Sequence, residues 1–162
     1  AIDLMRVAGE LAEREGDERV REEHVRQAQD KVEKNRVLEV VRGISTQKKL
    51  CLYATAAVAD ESGDSSARST TGYQVYRFLT DALDADQYHQ ETYVNKMKEL
   101  TTYSIVESER KSHGPSSGMF IEFTFNEQPA TIMETLGEDS RLGDLSRDEV
   151  TAVVRAQLSN GG

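Results

Sequence analysis

The sequence predicts a mainly α chain whose run of helices closes on a single β-hairpin. Three observations carry that prediction. Apolar residues recur at helical spacing through most of the chain, as at Leu4, Met5, Ala8, Leu11 and Ala12, and again at Val75, Tyr76, Leu79 and Leu83. One stretch alternates instead. Met119, Ile121, Phe123 and Phe125 are interleaved by Phe120, Glu122 and Thr124, the period-two pattern of a half-buried strand. Just before it come an extended segment, residues 104–109, and a basic turn rich in Gly, Pro and Ser, residues 110–118.

Taken in order, residues 1–14 form a first helix, and Gly16 stops it because glycine accepts a positive φ. A longer helix, residues 22–42, buries Val25, Ala28, Val32, Val37, Leu38 and Val41, with a bend expected at Asn35. Its acids lie in the first turn and Arg36 and Arg42 towards the end, as the helix dipole prefers. Gly43 breaks it, and Ser45 or Thr46 caps the next helix, which runs to Ala59. Leu50, Leu52, Tyr53, Ala54, Ala57 and Val58 make that helix apolar nearly all round, so it belongs at the centre of a core. Residues 60–67, DESGDSSA, read as a polar loop. Residues 69–71 offer N-caps for a helix to Leu83, and residues 84–87 turn the chain into a helix over 90–102. Tyr93, Val94, Met97 and Leu100 give that helix its apolar stripe. After the hairpin, residues 129–136 make a short helix with Pro129 in its first turn. Residues 141–145 are irregular, and Ser146 caps a last helix bearing Val150, Val153, Val154 and Leu158. The terminal Asn160, Gly161 and Gly162 are expected to fray.

Three helices, then strand, turn and strand, is the order of a winged helix-turn-helix unit. In such units the last helix enters the major groove and the hairpin grips the flanking backbone. If Val94, Met97 and Leu100 face inward, then Gln90, Thr92, Asn95, Lys96 and Glu99 face out. Asparagine suits adenine N6 and N7, lysine suits guanine or phosphate, and threonine a thymine methyl or a phosphate. The candidate DNA contacts on the helix are Thr92, Asn95, Lys96 and Lys98. On the wing they are Arg110, Lys111, Ser112, His113, Ser116 and Ser117, short donors and cations able to follow phosphates. Lys48, Lys49, Arg68 and Arg77 are candidates for flanking phosphate contacts, and Glu99 reads as a pairing residue. The bland alternative is that all of these are solvated surface groups.

Composition sets limits. The 162 residues hold 20 Lys+Arg against 29 Asp+Glu, a net charge of −9, which taken alone opposes binding to a polyanion. The distribution is uneven. Residues 43–59 hold two lysines and no acid, and residues 65–80 two arginines and no acid. Seven lysines beside 13 arginines, on an acid-rich chain, fit a protein that works in molar salt. No run of apolar residues is long enough to span a bilayer, so no membrane partner is expected. No signal-peptide pattern opens the chain; Ala1 begins inside a helical pattern, as a piece of a longer protein would. Cys51 is the only cysteine, which excludes an internal disulfide and fits a reducing, cytoplasmic compartment. It sits in LCLYATAAVA and reads as an inert core thiol. His24, His89 and His113 lack partners at metal-ligand spacing, and no nucleophile elbow or phosphate-binding loop is present. No catalytic constellation emerges.

The stretches AIDLMRVAGELAEREG and VREEHVRQAQDKVEKNRVLEVVRGISTQKKLCLYA, together with residues 92–145, resemble the carboxy-terminal part of archaeal replication initiators. These are the homologues of cell-division-control-six and origin-recognition-subunit-one, and the similarity covers residues 1–145. The resemblance implies an AAA+ lid remnant and connector over residues 1–42. It implies a winged-helix DNA-binding domain over 43–145 and a C-terminal helix with a frayed tail over 146–162. It further implies that ATP and magnesium are bound by an ATPase core outside these residues, with no cofactor for the residues present. The implied partners are double-stranded origin DNA, that ATPase core, other initiator protomers and the replicative helicase. Two features depart from the family pattern. The wing RKSHGPSSG has no arginine at its apex, and Tyr103-Ser104 stand where relatives have Leu-Gly. A winged-helix transcription regulator with a helical dimerisation arm, and a winged-helix protein-interaction module, are the alternative readings.

Overall fold

The computed structural model describes residues 22–112 and 119–161. The expected helix over 1–14 and the tip candidates His113, Ser116 and Ser117 lie outside the described residues. Helix α1 is Glu22–Arg42, α2 Thr46–Ser62, α3 Ser69–Ala82, α4 Gln90–Leu100, α5 Pro129–Leu136 and α6 Arg147–Gly161. Strands β1, Ser66–Arg68, β2, Val106–Ser112, and β3, Met119–Phe125, form one antiparallel sheet in the order β1-β3-β2.

Helix α2 is the axis. Every residue from 50 to 59 is buried, as its all-round apolar sequence requires. Ser45 caps its start, the hydroxyl accepting from Lys48 N at 3.3 Å. Gly63 ends it with φ +81°, a conformation glycine adopts without strain. Around this axis pack Val75, Tyr76 and Leu79 of α3, Tyr93, Met97 and Leu100 of α4, Phe123 and Phe125 of β3, and Ile132 and Leu136 of α5. Val150 and Val154 of α6 belong to the same core, so the last helix is part of this body. It runs through Gly161, where the sequence suggests fraying.

The joint between α3 and α4 is aromatic. The rings of Tyr73, Tyr76 and Tyr93 lie 5.7–5.8 Å apart, and Tyr93 meets Phe123 edge-on at 6.4 Å. The Thr55 hydroxyl donates to Cys51 O at 2.8 Å, so at 2.5 Å it is Tyr93 that donates to Thr55. That bond satisfies a fully buried phenol. Gly72 makes room for it, because a Cβ there would collide with the Tyr93 hydroxyl.

Helix α1 is continuous, with no break at Asn35. Its second half is fastened to α5. Val37 and Val41 are buried, and Lys34 Nζ lies 3.3 Å from Glu138 and 3.5 Å from Glu134. Arg36 meets Glu127 at 3.0 Å. Glu33 accepts from the backbone N–H of Gln128, the residue preceding α5, at 2.7 Å.

Four boundaries differ from the sequence reading. Residues 60–67 are not one loop: α2 continues to Ser62, and Ser66–Arg68 become a third strand. Asp64 makes the turn between them, accepting from Ser62 Oγ and Ser66 Oγ at 2.7 Å each and from Ser66 N at 3.1 Å. Helix α3 starts at Ser69, and the residue before it, Arg68, offers no side-chain cap. Helix α4 ends at Leu100 and hands over to a 3₁₀ turn, Thr101–Tyr103. Strand β2 begins at Val106, because Ser104 takes φ +63° and turns the chain sharply there. Arg110, Lys111 and Ser112 are therefore strand residues rather than turn residues.

Candidate nucleic-acid interface

Between α4 and the β2–β3 hairpin runs an open groove of about 600 Å³. Helix α4 contributes Gln90, Glu91, Val94, Asn95 and Lys98 to its wall; the hairpin contributes Arg110, Met119 and Ile121. Ser69 and Thr70, at the start of α3, close one end.

Which residues face this groove follows from which face the core. On α4 the buried side chains are Tyr93, Met97 and Leu100. At 3.6 residues per turn the opposite face is Glu91, Asn95 and Lys98. Val94 is only half-buried, at the groove's edge. Treating Val94 as the middle of the apolar stripe rotates the outward face toward Thr92, Lys96 and Glu99, which is how the sequence alone reads it. Those residues instead lie on the flank turned away from the hairpin. The Lys96 ammonium sits 5.6 Å from the centre of the Tyr88 ring. Glu99 is held 2.8 Å from Lys48, whose hydrogen bond and charge keep its carboxyl below the usual range. Thr92 is half-buried.

The hairpin divides its residues by alternation. Arg110 stands opposite Ile121 and Ser112 opposite Met119, on the groove face. Lys111, one residue away, stands opposite Phe120 on the back face. There its ammonium donates to Glu122 Oε1 at 2.6 Å, and that hydrogen bond raises its pKa. Glu107 and Glu109 share the back face. Arg68 lies over the Phe120 ring, 4.6 Å from its centre. Lys49 is tied to Asp139 at 2.8 Å. Of the flanking candidates Arg77 is exposed; Lys48, Lys49 and Arg68 are engaged by neighbours.

The approach to α4 is fixed by hydroxyls from α3. Tyr73 donates to Tyr88 O at 2.8 Å, and Tyr88 N donates to the Tyr76 hydroxyl at 3.1 Å. Tyr76 donates onward to Gln47 Oε1 at 2.7 Å, while Gln47 Nε2 donates to Asp86 O at 2.8 Å. Burial pushes the Tyr76 phenol up to about 12, so it remains a donor at neutral pH. At the hairpin's base, Asn126 donates to Ser104 O at 2.9 Å through its side chain and to Ile105 O at 3.0 Å through its backbone. Both walls of the groove are thereby positioned by hydrogen bonds behind them. The clamp has no short-range sequence signature, since its partners are 12 to 39 residues apart. Glu91 was recoverable from the i, i+4, i+7 face it shares with Asn95 and Lys98.

Among the described residues no group of His, Cys, Asp and Glu is placed to hold a metal ion. No helix among them is long and apolar enough to cross a membrane. Cys51 is buried and its thiol is pushed up to about 12 by desolvation, which makes it a poor nucleophile.

A helical core carrying a short three-stranded sheet, with a groove between its exposed helix and its hairpin, defines a winged-helix protein. Comparison with known proteins gives the family. A model described as the CDC6 C-terminal winged helix domain matches residues 39–135, and one described as the Cdc6 AAA+ ATPase-type lid domain matches residues 1–30. The chain belongs to this family of Cdc6 and ORC1-type replication initiators, as its lid and winged-helix portion. It is 48% identical, over 98% of its length, to ORC1-type DNA replication protein 5 of Halobacterium salinarum. It is 46% identical, over 99% of its length, to ORC1-type DNA replication protein 14 of Haloarcula marismortui. In both cases it spans 38% of the relative's length. A solved structure of the Aeropyrum pernix ORC1 protein in complex with DNA aligns with 89% of the chain at a TM-score of 0.71 and 33% identity, and the chain covers 37% of that protein.

Proposed function

We propose that this chain seats a replication initiator on duplex origin DNA, with α4 in the major groove and the β2–β3 hairpin on the flanking backbone. One observation carries the reading: Asn95, Lys98 and Arg110 line a single groove between helix and hairpin. Lys98 and Arg110 meet phosphates, and Asn95 reads an adenine edge. Thr92 and Lys96 reach the backbone on the far flank of α4. Ser112 meets a flanking phosphate, and His113, Ser116 and Ser117, outside the described residues, are further candidate phosphate contacts. Lys111, bound to Glu122, contributes little. The relative solved in complex with DNA supports this assignment.

Residues 1–42 form the lid and connector, 43–145 the DNA-binding body and 146–162 the terminal helix. The ion pairs joining α1 to α5 and to the residues flanking it, Glu127 and Glu138, make the connector move with the DNA-binding body. A change of nucleotide state in an ATPase core, which holds ATP and magnesium in the full-length protein, is relayed through it. Other initiator protomers and the replicative helicase are the further partners, at a cytoplasmic, nucleoid-associated origin.

Duplex binding measured by anisotropy over a range of KCl tests the reading. A bound polyanion gives an affinity that falls steeply with salt. Affinity that is flat in salt, or confined to a protein ligand, makes the chain an interaction module instead. Two-fold dimers on a palindrome make it a transcription regulator.

A further inference from the structure

We infer that Glu91 is a base-discriminating residue that selects a C·G pair next to the adenine read by Asn95. The inference rests on the DNA-binding reading above and names the chemistry of one position within it.

Three observations carry it. Glu91 is exposed and lines the groove with Asn95, Lys98 and Arg110. It lies in the first turn of α4, and in helix-turn-helix docking the N-terminal residues of the recognition helix meet base edges. Among the described residues no cation pairs with it, whereas the other carboxylate of α4, Glu99, is held by Lys48. A free carboxylate in a groove that receives phosphates repels the ligand wherever it meets only acceptors. It is tolerated where it meets a donor, and the cytosine N4 amino group is the donor that acidic side chains accept from in the major groove. Glu91 thus favours a C·G pair and, by repulsion, penalises pairs that present acceptors there. Four residues of helix separate it from Asn95, about 6 Å of rise. At about 3.4 Å per base step, the two side chains read positions within roughly two base pairs of each other. An acid in a first turn also complements the helix dipole. That role affects helix stability and leaves the choice of base untouched.

Selection from a pool of randomised duplexes tests this, with the chain, Glu91→Ala and Glu91→Gln compared at one salt concentration. The unsubstituted chain should enrich a C·G column beside an A·T column, with a preference of about tenfold, low in the range of a good base contact. Glu91→Ala should flatten the C·G column, keep the A·T column and bind duplexes lacking the cytosine more tightly. Glu91→Gln should move the preference at that column toward adenine, whose N6 and N7 glutamine can bridge. A retained pool without a C·G column, or with one that survives in Glu91→Ala, overturns this inference alone. No duplex retained by the unsubstituted chain overturns the DNA-binding reading, and this inference with it.

Discussion

The two faces of the β2–β3 hairpin differ more than their shared sequence suggests. Arg110 and Lys111 are neighbours in the chain, and only one of them faces the groove. Strand alternation sends Lys111 to the back, where Glu122 binds its ammonium at 2.6 Å and the charges of Glu109 and Asp64 also act on it. The difference teaches how a chain of net charge −9 can address a polyanion. Its cations need only dominate one concave surface. Acids on the opposite face repel DNA that arrives from behind, so the net charge restricts the direction of approach.

The largest effect expected comes from the core beneath the groove face. Burial raises Cys51 to about 12, and Tyr76 to about 12, and raises Tyr93 as well. A folded pKa above the unfolded value means that the unfolded chain loses its proton first. The stabilisation is therefore complete below about 9, the unfolded thiol's value, and is lost as pH climbs through the folded one. Circular dichroism at rising pH should show cooperative unfolding between about 9 and 12. Cys51→Ser should shift the transition to higher pH, and an unmoved transition would mean the thiol is not held neutral by the fold.

Next comes the contrast within the hairpin. Lys98→Ala and Arg110→Ala should each weaken duplex binding at least roughly tenfold, as loss of a hydrogen bond to a charged partner does. Each should also reduce the log–log salt slope by about one. Lys111→Ala should leave affinity and slope near their starting values. If Lys111→Ala matches Arg110→Ala, the two faces are not distinct and DNA wraps the hairpin. A smaller effect is expected for Tyr76→Phe, which removes the hydroxyl between Tyr88 N and Gln47. It should lower stability by about 1 kcal/mol and blunt discrimination between duplexes, with little change in salt slope. Unchanged discrimination would make the tyrosine clamp a stability feature only.

How much of this was legible depended on the length of the signal. Helix α2 shows itself because ten consecutive buried positions leave no polar face to misplace. The β2–β3 hairpin shows itself because β3 alternates over seven residues. Strand β1 is three residues long, too short to show a period, and it exists because the Asp64 turn delivers it to β3. The candidate site was legible as a region and less so as a set of residues. One half-buried valine, Val94, rotated the inferred outward face of α4 toward Thr92, Lys96 and Glu99, so that Asn95 and Lys98 were among the candidates and Glu91 was not. The turn assigned to residues 110–118 hid the alternation that separates Arg110 from Lys111. Both errors are angular: spacing along the chain was read correctly, and direction around an axis needs the core to define it.

Salt should act on the two faces with opposite sign, and its effect on folding is the smallest of those considered. In the groove, added KCl opposes DNA binding, because the counterions that phosphate contacts release gain less entropy in a concentrated solution. On the back face and along the acidic helices, the same ions screen carboxylates that repel one another, so folding should be favoured. Ion pairs such as Lys111–Glu122 are screened too and pull the other way, but exposed pairs contribute little to stability, and the acids outnumber the bases by nine. The thermal midpoint of the free chain should therefore rise from low to molar KCl while duplex affinity falls over the same series. A midpoint that stays level or drops would show that the surplus acids are not a destabilising load, and the acid-rich surface would then need a reason other than life in high salt.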